Sequence, residues 1–450
     1  MVVGRIVLAV GVVVAPSTAL ASLSAAASSI TSSTILVDDD GGQCADAGFS
    51  SIAEAMAAAM PGDTVQVCPG SYTEFVYVDV PVTLIGLPEA VDALDCFDHA
   101  ESQPDDLDPS TYAVLNRPAD TPGNLLTIAS PGVTVSGLVL QGATTTDTPE
   151  APQIADAAIH LMTASTGATV QNNLIRLSSL GIDMGSDGGA VTRVDHNCLR
   201  DNEFGMASQR QDLVGAEVEH NETFRTEQIA YEVGWSRAST HTTSFAHNVS
   251  RADVRTFFVH NSTNISIADN DAEPAFVGAQ VASGNRNVRI TDNRIVGGTG
   301  QGVMFSTVAG QPASQKMLVA GNEIRGFGLS ATTGLGIAIA TNAAGQPAVD
   351  GVKVMDNFLT KNGVGLSLQL ANLGIRVHGN TINANRQFGI RAQLGAGSNA
   401  GASFKDNTLL GNGSPAVTST ADAFDADRPA NTWSNNVCER DIPMDTICGR

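Results

Sequence analysis

Hydrophobic and polar positions along this chain repeat as apolar, any, any, Asn, any, apolar. The unit is plainest in Val194-Asp195-His196-Asn197-Cys198-Leu199 and returns at Val170 to Ile175, Ile290 to Ile295, Val354 to Leu359 and Phe404 to Leu409. Its asparagines are Asn173, Asn197, Asn221, Asn248, Asn270, Asn293, Asn322, Asn357, Asn380, Asn407 and Asn436. They are spaced from 22 residues (Asn248 to Asn270) to 35 (Asn322 to Asn357), the range of a repeat architecture. Short runs between them, such as Gly181-Ile182-Asp183-Met184 and Gly302-Val303-Met304-Phe305, alternate apolar with polar or small residues, as half-buried strands do.

A short strand with one apolar face is not stable alone, so successive coils must stack and share a core. Stacking sets each coil about 4.8 Å above the last and brings each repeat asparagine over the next. Asparagine tolerates the left-handed backbone of a sharp bend, and a buried column of amides can satisfy itself by donating to one neighbour and accepting from another. The pattern therefore predicts an all-β, single-stranded right-handed parallel β-helix with an asparagine ladder.

Elsewhere the pattern changes. Ser51-Ile52-Ala53-Glu54 reads as a capping box. Phe49, Ile52, Met56 and Met60 then fall on one helical face before Pro61-Gly62 stops it, predicting an N-terminal helix that plugs the solenoid. The layout read from the sequence is a signal peptide at 1–21, a Ser/Ala-rich linker at 22–33, a cap helix and first coils at 34–86, and a loop excursion at 87–125. Repeats occupy 126–437, interrupted by a polar loop at 143–153, and a C-terminal cap closes the chain at 438–450. Two later coils carry the same loop sequence, at Ala309-Gly310-Gln311-Pro312-Ala313 and Ala344-Gly345-Gln346-Pro347-Ala348, and these loops are expected to stack.

Charge and cysteines narrow the class. A net charge of −22 with 24 Lys and Arg speaks against nucleic acid, which needs a basic face, and against anionic membrane surfaces. Arg5, the apolar run Ile6 to Ala15 and the small-x-small site Ala19-Leu20-Ala21 read as a secretory signal, with no membrane insertion after its removal. Six cysteines suit an oxidising compartment. Cys44 with Cys68, and Cys438 with Cys448, are the expected local pairs, while the pairing of Cys96 and Cys198 stays open. The reading is a secreted monomer.

Candidate chemistry concentrates between 196 and 260. His196, His220 and His247 each precede a ladder asparagine, so they stack on three coils and are the candidate metal ligands. Tyr231, Glu232, Trp235, Arg237, His241, Arg251, Arg255 and His260 form the densest mix of aromatic, basic and acidic side chains. Sugars bind by aromatic stacking and planar hydrogen bonding, and uronates favour arginine. Tyr231, Trp235, Arg237 and Arg255 are thus the expected substrate-binding residues. His241, His260, Arg255 and Glu232 are the catalytic candidates for abstracting a proton beside a carboxylate, with Ca2+ as the candidate cofactor.

The repeats resemble the pectate-lyase-like right-handed β-helix superfamily over about residues 34 to 440, and Gly70-x-Tyr72-x-Glu74 resembles an early motif of pectin methylesterases. The resemblance implies the fold and a polysaccharide or cell-surface glycan as partner. It implies no single activity, because the scaffold hosts lyases, hydrolases, epimerases, esterases and adhesins. The Asp-Pro-His-Asp of alginate epimerases, the polygalacturonase motifs and the Trp-Ile-Asp-His of pectate lyases do not occur. Two functions compete: a protein that binds, and cleaves or epimerises, a polysaccharide along its flank, and a non-catalytic adhesive or structural solenoid.

Overall fold

The first and last repeat asparagines are joined by an unbroken chain of amide hydrogen bonds. In each coil the Asn backbone N–H donates to the side-chain oxygen of the next ladder asparagine, from Asn173 to Asn197 at 3.1 Å through to Asn407 and Asn436 at 3.0 Å. The side-chain amide reinforces it, as from Asn293 Nδ2 to Asn322 Oδ1 at 2.9 Å. All eleven are buried. This is the computed structural model of the chain; it describes residues 32–89, 96, 107–119, 121–142, 156–185, 192–208, 215–236, 241–328, 334–340, 347–369, 372–393, 401–426, 430–443 and 447–448. The signal and most of the linker, together with the 143–153 loop, lie outside these residues. The chain divides into Met1–Thr31 and Ser32–Arg450, and the second unit holds the solenoid.

Among the described residues the strands form three parallel sheets of 15, 14 and 14 strands. Sheet A runs from Thr34–Val37 to Thr432–Ser434, sheet B from Gly70–Thr73 to Val437–Cys438, and sheet C from Val76–Val78 to Asp441–Ile442. The chain visits A, B and C in turn, so each strand pairs with its equivalent one coil away: a right-handed parallel β-helix. Inward positions stack in register. Val194, Val218, Phe245 and Ile267 of sheet A lie over one another, in one continuous apolar core. Each such side chain contributes about 1.5–3 kcal/mol on burial.

The left-handed backbone falls one residue earlier than expected. Asn172, His196, His220, His247, Asp269, Asp292, Asp356, Asp406 and Asn435, with Gly321 and Gly379, carry the positive φ at the bend from sheet A to sheet B. Each ladder asparagine instead points inward immediately after its kink. This explains the Asp, Asn, His and Gly before the ladder, since these are the residues that best accept such φ values.

A second ladder runs at the bend from B to C, five residues beyond the first. Asn362 N–H donates to Asn385 Oδ1 and Asn385 N–H to Asn412 Oδ1, both at 3.0 Å, and the column ends on Asp422 Oδ1. Asn202 and Asp253 occupy the same level in earlier coils, each accepting from the backbone of the coil below.

Helix α1 spans Ile52–Ala58, and buries Ile52, Ala55 and Met56. Met60, placed on that buried face by the pattern, is 60% exposed, because the helix ends at Ala58 and the chain turns away. Ser51 Oγ accepts from Glu54 N–H at 3.3 Å. The stronger cap comes from Glu74, whose carboxylate accepts from Ile52 and Ala53 N–H at 2.8 and 3.0 Å. Tyr72 is buried and donates to Cys68 O at 2.9 Å. The methylesterase-like Gly70-x-Tyr72-x-Glu74 is thus a structural fastening.

Cysteines pair as 44–68, 438–448 and 96–198. The third bond ties the excursion onto the outer face of sheet B, where Cys96, Val114, Val139, Leu174 and Cys198 form an apolar patch. The solenoid resumes at the strand Ala113–Asn116, earlier than residue 126, where the sequence pattern ended the excursion. Trp433 stacks on Phe404 of the preceding coil at 4.0 Å, covering the last inward row of sheet A.

Candidate active face on sheet C

On the strand Ile229–Gly234, Tyr231 and Val233 point inward, so alternation sends Glu232 outward. In register, one outer row of sheet C carries His160, Asp183, Ala207, Glu232, Phe258 and Gln280 on six consecutive coils.

Glu232 is nevertheless buried, because the coil above closes over it. His260 lies opposite Gly234. A Cβ on Gly234 would collide with the imidazole Nε2 and Cε1, so only glycine leaves room for the ring to lean down. His260 Nε2 reaches Glu232 Oε1 at 3.0 Å. The same imidazole stacks on Phe258 at 5.0 Å and meets the edge of Trp235 at 5.9 Å. Trp235, 43% exposed, is turned outward by its left-handed φ of 65°. The Arg255 guanidinium sits 5.3 Å from the Phe258 ring centre. Burial lowers its pKa from the usual arginine value, and the Glu232 charge opposes that shift. Among the described residues its buried Nε has no hydrogen-bond partner.

Lower on the same row, His160 Nδ1 meets Asp183 Oδ2 at 2.8 Å, with both side chains mostly covered. Ala207 separates Asp183 from Glu232, so the two His–carboxylate pairs stand about 10 Å apart along the axis, two coil rises. Sequence reading missed His160 and Asp183, because they are far apart in sequence and neither lies in the aromatic cluster. No constant spacing from the ladder marks them; only the register of the strands Ala157–Leu161 and Leu180–Met184 makes them neighbours.

The protonation pattern follows from donor rules. A carboxylate only accepts, so Nε2 of His260 carries the proton facing Glu232 and Nδ1 keeps the lone pair when the ring is neutral. For His160 the roles of the two nitrogens are reversed. Each ring is a positioned base held in one tautomer.

Of the expected binding residues, Trp235 and Arg255 share this face on consecutive coils. Tyr231 does not: it is 1% exposed and packs in the core against Phe257 and Phe245, at 5.2 and 5.8 Å. Arg237 lies outside the described residues. His241 is exposed beside Gly215, leading into the strand Thr243–Ala246 of sheet A.

The histidine column forms as expected, with His196, His220 and His247 stacked at 4.9 and 5.1 Å. Face-to-face rings hold their nitrogens in parallel planes, and among the described residues the only group of three ligating side chains with convergent atoms is Asp38, Asp39 and Asp40. Asp38 there is already engaged as a turn cap, accepting from Gly41 and Gln43 N–H.

The family profile described as right handed beta helix region matches residues 257–436. No curated protein matches the chain by sequence. Among solved structures, the A-module of the Azotobacter vinelandii mannuronan C-5 epimerase AlgE6 is similar at 18% identity and TM-score 0.51, covering 86% of this chain and 92% of its own. The A-module of AlgE4 from the same organism is similar at 16% and 0.51, covering 83% and 94%. A PL6 alginate lyase in complex with a trisaccharide is similar at 14% and 0.55, covering 85% and 86%. At these identities the likeness is one of fold.

Proposed function

We propose that this is a secreted carbohydrate-active protein that binds a uronate-containing polysaccharide across the outer face of sheet C and acts on it by proton abstraction beside the carboxylate. The observation that carries this reading is the Glu232–His260 pair with Arg255 and Trp235 around it. Three disulfides and the alginate-acting structural neighbours support an exported, polysaccharide-directed role.

The hydrogen at C5 of a uronate is acidified by the adjacent carboxylate. Neutral His260 accepts it on Nδ1, while Glu232 stabilises the imidazolium that forms. The Arg255 guanidinium, beside the Phe258 ring, faces the negative charge that builds on the substrate carboxylate. Trp235 offers a face for a pyranose ring. A proton delivered from water to the opposite face of C5 epimerises the sugar; alternatively the C4–O bond breaks, the departing oxygen takes a proton from water or from the His260 imidazolium, and the chain is cleaved with a C4–C5 double bond left behind. Asp183, paired with His160, lies on the same outer row two coils from Glu232. Arg255 takes the charge-neutralising part for which calcium is the alternative, so turnover is expected to survive chelation with EDTA.

The non-catalytic reading draws support from the missing family signatures. One experiment separates the two: a polyuronate panel followed by absorbance of unsaturated products and by deuterium uptake at C5. Either signal, lost in His260→Ala and Glu232→Gln, sustains the catalytic reading. Binding without either signal makes the protein a carbohydrate-binding solenoid.

A further inference from the structure

A groove lies on a different face. Five consecutive strands of sheet A break at one level: Asn264, Asn287, Lys316, Gly351 and Gly374 have φ of 60°, 57°, 59°, 92° and 63°. The residues before them, Thr263, Arg286, Gln315, Asp350 and Leu373, are in register through four strand pairs. A single left-handed residue bends one strand. Five stacked at the same position fold the outer face of the sheet into an angle that runs along the solenoid axis. The angle encloses about 760 Å3. The strands Ser314–Ala320 and Val349–Met355 in its middle have seven residues each. They come directly after the two Ala-Gly-Gln-Pro-Ala loops, whose ends stack through Ser314 and Val349.

The lining is cationic. Arg289, Leu318, Lys353 and Arg376 form one outward row on four coils, and Lys316 stands at the kink. The four cations are exposed, and none is ion-paired among the described residues, whereas Arg193, Arg225, Arg251, Arg294 and Arg325 elsewhere on the solenoid are. Asp350 is the single acid in the lining, and its carboxylate faces Gln315 Nε2 at 3.5 Å. Four unpaired cations in one groove of a chain with net charge −22 repel one another without a compensating partner, and the field they set up selects an anion.

We infer that this sheet A groove is a second binding site, for a carboxylate-bearing polysaccharide strand lying along the solenoid axis. Lys353 and Arg376 are one coil rise apart, about 4.8 Å, and Arg289 is two rises from Lys353, so successive charges on an extended chain meet successive cations. Guanidinium forks match planar carboxylates. Asn287, Gln315 and Asp350 offer partners for hydroxyls, and Leu318 offers an apolar contact for a ring face. A nucleic acid would want aromatic side chains for stacking bases, and none lines the groove. The inference is independent of the catalytic reading of sheet C.

The test uses the full chain carrying Arg255→Gln, so that the sheet C face is weakened, with polygalacturonate oligomers as the probe and single-stranded poly(dT) and neutral dextran as competitors. Polygalacturonate is expected to bind, and poly(dT) and dextran not to compete. Adding Arg289→Gln, Lys353→Gln and Arg376→Gln together should weaken binding about tenfold or more and flatten its salt dependence. The variant Arg289→Lys, Arg376→Lys, which keeps the charges, should bind to within a few-fold of the parent. Because the exchanged side chains are exposed, thermal melts should agree across the set. Absence of polygalacturonate binding in the parent overturns the inference. So does unchanged affinity in a folded triple variant, and so does preferential binding of poly(dT), which would make the groove a nucleic-acid site.

Discussion

The imidazole of His260 occupies the space that a Cβ on Gly234 would fill, one coil below. That vacancy lets Nε2 reach Glu232 at 3.0 Å. Gly234→Ala should therefore act on the site more than on the fold. Overpacking of this kind costs about 1–3 kcal/mol of stability. The loss of a positioned base should cost about 10²–10⁴ in turnover. Activity at the wild-type level in a folded Gly234→Ala protein would show that the His260 position is immaterial.

Asp253 gives a prediction in pH. It is fully buried within the solenoid and accepts from Thr223 Oγ1, Ser250 Oγ and Thr226 N–H at 2.6, 2.7 and 2.7 Å. Burial raises its pKa above the ordinary 3.8, despite these hydrogen bonds. A raised folded value means the native state holds the proton more tightly than the unfolded chain. Its stabilisation is complete below the ordinary value and is lost as pH rises through the folded value. Asp253→Asn has no such loss. Its melting temperature relative to wild type should climb as pH rises from about 3.8 towards neutrality. A difference that stays flat across that window would mean Asp253 titrates normally.

The disulfides rank by the loops they close. Cys96 and Cys198 are separated by 102 residues, Cys438 and Cys448 by 10. Chain entropy assigns about 4.7 kcal/mol to the first and about 2.7 kcal/mol to the second. Denaturant unfolding of Cys96→Ala/Cys198→Ala and Cys438→Ala/Cys448→Ala compares them directly. The larger loss belongs to the first pair; the reverse order would show that the terminal staple, not the excursion, limits stability.

The fold was legible because its determinant is periodic: the asparagine column recurs at every coil, and all eleven members sit where the spacing put them. The second ladder keeps a five-residue offset from the first at Asn202, Asn362, Asn385 and Asn412, but Thr226, Asp253, Ala275, Gly298 and Phe327 stand at that offset in the coils between and hide it in a scan for one residue type. The site was legible only in part. Aromatic density flagged coils 230 to 260, yet it cannot distinguish Tyr231, which faces in, from Trp235, which faces out after a left-handed kink. His160 and Asp183 are invisible to local composition because the register, not the sequence neighbourhood, makes them partners. The kinks of the sheet A groove were unreadable for another reason: three of the five, at Asn264, Asn287 and Lys316, fall on residues that carry no obligatory turn signal.

The sharpest test of the register compares Asn293 with its neighbours. Its Oδ1 accepts from Asn270 N–H and Nδ2 at 3.0 and 2.9 Å, and its Nδ2 donates to Ile267 O, Thr291 O and Asn322 Oδ1, each at 2.9 Å. Asn293→Leu removes all of these and leaves the buried Asn270 N–H without a partner, at about 1–3 kcal/mol for each orphaned group. The left-handed position is Asp292, at φ 57°, so Asp292→Leu should cost about 1–2 kcal/mol through backbone strain alone. Arg294 is an unsuitable exposed control, because it is half-buried and bonded to Asp271 and Glu273. Arg286, exposed on the outer face of sheet A, serves instead, and Arg286→Leu should change stability by within about 0.5 kcal/mol. Thermal melts of the three variants should rank Asn293→Leu lowest, Asp292→Leu between, and Arg286→Leu beside wild type. An Asn293→Leu protein that melts with wild type would mean that the amide column contributes nothing to holding successive coils together, and the stability of the solenoid would then rest on its apolar rows alone.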